Sequence, residues 1–266
     1  MVKPDGSKKF DNVSVPDLDI SQAYMRYKNK TIFENLSLFL PGGQWTCLLG
    51  TSGVGKSTLL RMIAGVLTDD DLSKKSDECC IGKIIPSDGI PLKGRVAYMA
   101  QSDLLMPWYS ALENVLLGCK LRGQKTRENI EKAKELLAMV ELEDSVNLKP
   151  SSLSGGMRQR VALARTLMEN KPVILMDEPF SALDAITRYK LRNLAAKLLK
   201  DCTVLLVTHD PMEALSLGNN VKIMFGSPAK IIDFEDVPNT PIPRDSDDAE
   251  VVALYGSVLK MMEMAV

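Results

Sequence analysis

Nine residues, GTSGVGKST at positions 50–58, have the composition and spacing to grip a polyphosphate. Glycines at 50, 53 and 55 let successive backbone N–H groups turn toward one anion, and a helix beginning at the end of the loop adds the positive end of its dipole. Lys56 is placed to reach the β- and γ-phosphates, and the Ser57 hydroxyl to take a place on Mg²⁺. The plain alternative is a glycine-rich loop that binds nothing. Against it stands the context: the apolar run QWTCLLG leads into the loop and helical spacing leaves it, which is where the pattern works. The residues expected to hold ATP here are Gly50, Ser52, Gly53, Gly55, Lys56, Ser57 and Thr58.

Four further polar residues stand at the ends of apolar runs. PVILMDEP, 172–179, carries an apolar strand into two carboxylates. Open parallel sheets bind ligands at the carboxyl ends of their strands. Asp177 then suits the metal, and Glu178 the polarisation of an attacking water. Taken alone, the pair reads better as a solvated strand end; beside a phosphate loop it reads as chemistry. His209, the only histidine, follows TVLLV, and Gln101 follows GRVAYMA. Both are expected near the γ-phosphate, Gln101 reaching Mg²⁺ or the water. Each could instead be an ordinary polar strand end.

The elements needed to place these residues are legible in outline. Strands are expected over 18–27, 31–40, 44–50 and 94–101, and again at 172–178 and 202–210. Helices are expected over 57–67, 110–120, 127–140, 157–167, 184–199 and 249–262, with a short one opening at Pro211. A hairpin is expected around VKIMFGSPAKIIDF, and residues 68–92 read as a surface excursion with one or two edge strands. The helical stretch 102–151 reads as a lobe inserted into an α/β domain.

Composition narrows the class. The 266 residues carry 33 Lys plus Arg against 34 Asp plus Glu, a balance that argues against nucleic acid as a partner. Five cysteines without a CxxC pair, beside one histidine, make a zinc site a poor reading and favour free thiols. No apolar leader and no run of 18 apolar residues is present, so neither a signal peptide nor a membrane span is expected.

One motif is left over. LSGGMRQR, 153–160, sets a second glycine pair behind a serine at the start of a helix, about a hundred residues after the first anion loop. With it the chain resembles the ATP-binding subunits of ATP-binding-cassette (ABC) transporters over roughly residues 18–230. GTSGVGKST matches their phosphate loop, Gln101 their glutamine loop, LSGGMRQR their signature, VILMDE their metal carboxylate and catalytic glutamate, SALD (181–184) their inter-subunit loop, and His209 their switch histidine.

The resemblance implies an α/β fold with a P-loop NTPase-type core sheet, an N-terminal antiparallel β subdomain and an inserted helical subdomain. It implies one ATP-binding domain over 1–266, with 231–266 a short extension lacking a regulatory domain. It implies ATP and Mg²⁺ as cofactors, and a head-to-tail homodimer in which Ser154, Gly155 and Gly156 of one copy close on ATP held by the other. Asp184 joins the nucleotide-contacting set, and Tyr27, or alternatively Tyr24, stacks on adenine. Trp108 marks a groove for integral membrane permease subunits, unless it packs the lobe. An extracytoplasmic solute-binding protein is an indirect partner, and the cytoplasmic face of the inner membrane the location. The wording LLMPW is similar to importers of nitrate, sulfonate or taurine and of hydroxymethylpyrimidine precursors, with the last nearest; the ATPase does not touch the cargo.

Overall fold

A computed structural model describes residues 14–27, 30–67 and 80–264. β1 (Leu18–Tyr27) and β2 (Lys30–Leu40) pair antiparallel, and β3 (Trp45–Gly50) runs into α1 (Lys56–Ala64). Gly65 ends α1 in a left-handed conformation at φ 67°, its N–H returning to the Arg61 and Met62 carbonyls, the usual glycine stop. β4 (Cys80–Pro86) pairs antiparallel with β1 at the sheet edge. It is the one strand found in the excursion among the described residues; positions 68–79, Cys79 included, lie outside them, as do two residues of the turn expected at 28–30. β5 (Val96–Met99) leads to the helical lobe: α2 (Ala111–Val115), α3 (Leu117–Leu121) and α4 (Arg127–Met139).

The second half alternates strand and helix. α5 (Gly155–Met168), β6 (Val173–Asp177), α6 (Ala185–Leu198), β7 (Thr203–Val207) and α7 (Pro211–Leu217) precede the hairpin β8 (Asn220–Gly226) and β9 (Ala229–Phe234), and α8 (Ala249–Met264) follows. The strands form one nine-stranded sheet in the order β4-β1-β2-β9-β8-β3-β7-β6-β5. β3, β6 and β7 are buried at every position, as near-continuous apolar runs require of parallel strands covered on both faces. Trp45, Cys47 and Leu49 face a core shared with the helices of the lobe, while Leu48 turns to one shared with α1, β1 and β2. Cys47, Cys119 and Cys202 are buried and form no disulfide. No described helix is long and apolar enough to cross a membrane.

One expected helix is divided. The run at 110–120 breaks at Leu116 into α2 and α3. Ser110 caps α2 through a reciprocal bond with Glu113. Gly118 then lets α3 press on the end of α5, where any Cβ would fall 1.7 Å from Glu169 Oε1.

Strand order does the positioning. β3, β7, β6 and β5 are parallel neighbours, so their carboxyl ends share one edge of the sheet. The phosphate loop, His209, Glu178 and Gln101 leave those ends in that lateral order. Neighbouring strands lie about 4.8 Å apart, so Glu178 falls between the other two side chains.

Candidate functional site

The phosphate loop is a strained turn that only glycine allows at two positions. Gly55 sits at φ 117°, and a Cβ there would stand 2.6 Å from Ile32 Cγ2. At Gly50 a Cβ would fall 2.4 Å from the Met224 carbonyl oxygen. Lys56 opens α1 and is 6% exposed, its Nζ donating to the carbonyls of Gly50 at 2.7 Å and Thr51 at 3.0 Å. Burial draws its pKa down, and the nearby Glu178 and Asp177 carboxylates resist that shift. An ammonium in this position has lost much of its water and keeps two weak carbonyl partners, so an anion entering the loop gains a strong one. Ser52, Gly53, Gly55, Lys56, Ser57 and Thr58 line a cleft of about 200 Å³ whose far wall is Gln101, Glu178 and Ile32.

Asp177 is the last residue of β6 and is 3% exposed. Burial raises its pKa; the Ser57 hydroxyl, which hydrogen-bonds to the carboxylate, opposes the shift. Ser57 and Asp177 thus meet as a pair of hard oxygen donors. Such a set fits Mg²⁺, which takes one or two protein oxygens and completes its shell with phosphate and water. Among the described residues no cluster of three His, Cys, Asp or Glu side chains is placed to hold a metal by itself.

Glu178 follows in the left-handed region at φ 47°, a strained conformation for a side chain that size. Its N–H is fixed by the Val207 carbonyl at 2.9 Å, and its carbonyl accepts from Gln159 Nε2 at 3.1 Å and Ser181 Oγ at 3.0 Å. The backbone is therefore clamped while the carboxylate faces the cleft. Gln101 Nε2 donates to Glu178 Oε2 at 3.2 Å, and His209 Nδ1 lies 3.2 Å from Glu178 Oε1. Three residues that the chain spreads over more than a hundred positions converge on one carboxyl group.

The second glycine turn stands apart from this centre. Ser154 is the N-cap of α5, its Oγ accepting from the Met157 N–H at 3.2 Å. Ser154 and Gly155 are exposed and Gly156 half-buried; none of the three lines the phosphate cleft. Asp184 likewise caps a helix, α6, through the Thr187 N–H at 3.0 Å. Tyr27 ends β1 and is 40% exposed, with Tyr24 half-buried three residues earlier. β2 of the same hairpin carries Ile32 into the cleft wall. Trp108 is 62% exposed and its ring meets that of Tyr109 edge-on, so it does not pack inside the lobe.

Sequence reasoning passed over three residues that hold these parts in place. Gln159 is 5% exposed and bridges the Glu178 carbonyl to the Ala182 N–H, at 2.9 Å, so α5 braces the catalytic strand end. Asn114 is fully buried; it accepts from the Met106 N–H and donates to the carbonyls of Met106, Tyr109 and Ser110, which shapes the turn carrying Trp108. Asp103 pairs with Arg158 at 2.8 Å, tying the segment after Gln101 to the first turns of α5. A polar residue on an otherwise apolar helix face was the available signal for Gln159 and Asn114.

The sequence profile of the ABC transporter family matches residues 33–181. An uncharacterized ABC transporter ATP-binding protein of Haemophilus influenzae is 45% identical over 80% of this chain and 81% of its own length. The aliphatic sulfonates import ATP-binding protein of Rhodococcus jostii is 42% identical, covering 78% of each chain. The taurine import ATP-binding protein of Pseudomonas aeruginosa is 39% identical over 78% of this chain and 76% of its own. Among solved structures, a dimeric ATP-binding cassette in a post-hydrolysis state with ADP and phosphate superposes with a TM-score of 0.69 at 29% identity, covering 82% of this chain and 97% of that one.

Proposed function

The chain belongs to the ABC transporter ATP-binding family, and on that premise we propose that it powers an importer as one half of a dimer whose two ATP sites are each built from both copies. Over 1–266 it forms one cassette, with residues 102–151 as the lobe that meets the permease and 231–266 as an extension. The observation that carries the reading is the Glu178 carboxylate held between Gln101 and His209 in the wall of the phosphate cleft.

The chemistry is hydrolysis of ATP to ADP and phosphate. Backbone N–H groups of 50–58 and the Lys56 ammonium hold the β- and γ-phosphates and offset charge on the transferring group. Ser57, Asp177 and the Gln101 amide would hold Mg²⁺, which when bound neutralises phosphate charge. Glu178 takes a proton from the attacking water, and Gln101 and His209 fix its carboxylate in place. His209 also contacts the γ-phosphate. Ser154 and the N–H groups of Gly155 and Gly156 meet that phosphate from the partner copy, with Asp184 on the adjoining loop; Tyr27 stacks on adenine.

Trp108, exposed on a turn that Asn114 shapes, docks a permease, and an extracytoplasmic solute-binding protein delivers the cargo, which places this subunit at the cytoplasmic face of the membrane. The named relatives support a taurine- or sulfonate-type cargo over a hydroxymethylpyrimidine precursor. Glu178→Gln tests the core of this. Turnover should fall by about 100- to 10,000-fold while ATP binding persists and ATP drives dimer formation on size exclusion. A variant that stays monomeric with ATP at high protein concentration would rule the reading out.

A further inference from the structure

Behind Glu178 and His209 lies a second cavity, of about 350 Å³, that the phosphate chemistry leaves unused. Arg188 and Glu213 supply a polar wall; burial lifts Glu213 to about 7, against the Thr208 hydrogen bond. The opposite wall is apolar and comes from Tyr255 and Leu259 of α8. α8 lies beyond the residues that the family profile matches.

α8 does not have the make-up of a solvated helix. Only Val251 and Val258 of its 16 residues are buried. Glu250, Lys260 and Glu263 are its only charges, and Val252 and Leu259 are 53% and 37% exposed seven residues apart, hence on one face. That face is nevertheless rigidly held. Arg244, 5% exposed, donates to the carbonyls of Leu215, Gly218 and Thr240, binding the segment before α8 to the end of α7. Tyr189 Oη donates to Asp245 at 2.9 Å and Arg192 to Ser246 at 3.3 Å, binding it to α6 as well. Both helices lead directly from the catalytic loops.

We propose that this face of α8 is a second part of the seam between two copies of the chain, continuous with the shared ATP sites. The inference rests on the dimer described above. Glu178 and His209, which border the γ-phosphate that the partner's signature turn meets in that dimer, line the same cavity as Leu259. A patch beside a two-fold seam meets its counterpart region on the other copy. The face is apolar at Val252 and Leu259 and carries one charge, Glu263, four residues after Leu259; interface centres are poor in charge, so the apolar positions mark where the copies meet.

The test is made in the Glu178→Gln background with ATP and Mg²⁺, measuring the dimer dissociation constant by sedimentation. Val252→Glu with Leu259→Glu should weaken the dimer by about tenfold or more, with binding of a fluorescent ATP analogue to the dilute monomer unchanged. Leu259→Ser, a milder change at a partly exposed position, should move the constant in the same direction by a smaller factor. A dimer constant within about twofold of the parent for both variants overturns the proposal alone, and would leave the face to a permease or another protein. If the Glu178→Gln parent itself fails to dimerise, the shared-site reading falls and takes this proposal with it.

Discussion

The chain builds two glycine-bearing turns at helix starts, and they use glycine for opposite reasons. In the phosphate loop the glycines answer to the fold. Gly55 holds a left-handed backbone against Ile32, and Gly50 lies against the Met224 carbonyl. In the turn opening α5 they do not. Gly155 and Gly156 have ordinary helical backbones, and a Cβ on Gly155 would meet only Arg158 Nη2, at 3.9 Å. Nothing within this copy needs glycine at 155; a helix there would be served better by alanine. On the reading proposed above, the space it leaves admits a group that approaches from outside, so one turn is complete in a single chain and the other is half of a site.

The largest effect that would break this contrast comes from mixing two dead variants. Lys56→Ala spoils the phosphate loop and Gly155→Asp the signature turn, and each alone should lose about 100-fold or more of turnover. Mixed one to one, about half of the dimers contain one of each, and each such dimer keeps one whole site. Phosphate release should recover to about a quarter of the unmodified rate if one site suffices. No recovery would mean that each copy hydrolyses ATP with its own signature.

Thermal unfolding sharpens the same contrast at smaller scale. Gly55→Ala forces a Cβ into Ile32 at a backbone angle that side chains avoid, and should cost about 1–3 kcal/mol. Gly155→Ala should leave stability unchanged or raise it by less than about 1 kcal/mol, yet lower turnover by narrowing the approach of the partner's phosphate. Equal destabilisation by the two would show that both glycines serve the fold. The smallest expected effect is at Trp108. Trp108→Ala should leave ATPase activity of the isolated subunit within about twofold, its side chain being largely in solvent, while weakening capture of the permease. Loss of both together would remove the docking role.

Much of the site was legible because its motifs are local. A strand end or helix start is fixed by the residues beside it, so GTSGVGKST, VILMDE and TVLLVTHD could be placed before any contact was known. The helical lobe was legible as a region but not at 110–120, where the helix breaks at Leu116. Gln159 and Asn114 escaped notice because their partners are backbone groups, of a separate segment for Gln159 and of the preceding turn for Asn114, and backbone groups leave no mark in a sequence pattern. Trp108 read as a docking residue with lobe packing as the alternative, and its exposure removes that alternative.

The sequence by itself determined which side chains end the central strands and where glycine makes room for an anion, because those choices depend on near neighbours. Which strand lies beside which was decided only by the tertiary structure. Order β7-β6-β5 sets His209 and Gln101 on either side of Glu178, and that order follows from how both faces of the sheet are covered by helices far away in the chain. The same packing leaves Gly155 exposed at the start of α5, away from its own copy's cleft. Local spacing supplied the polar groups, and long-range burial assembled Gln101, Glu178 and His209 into one cluster.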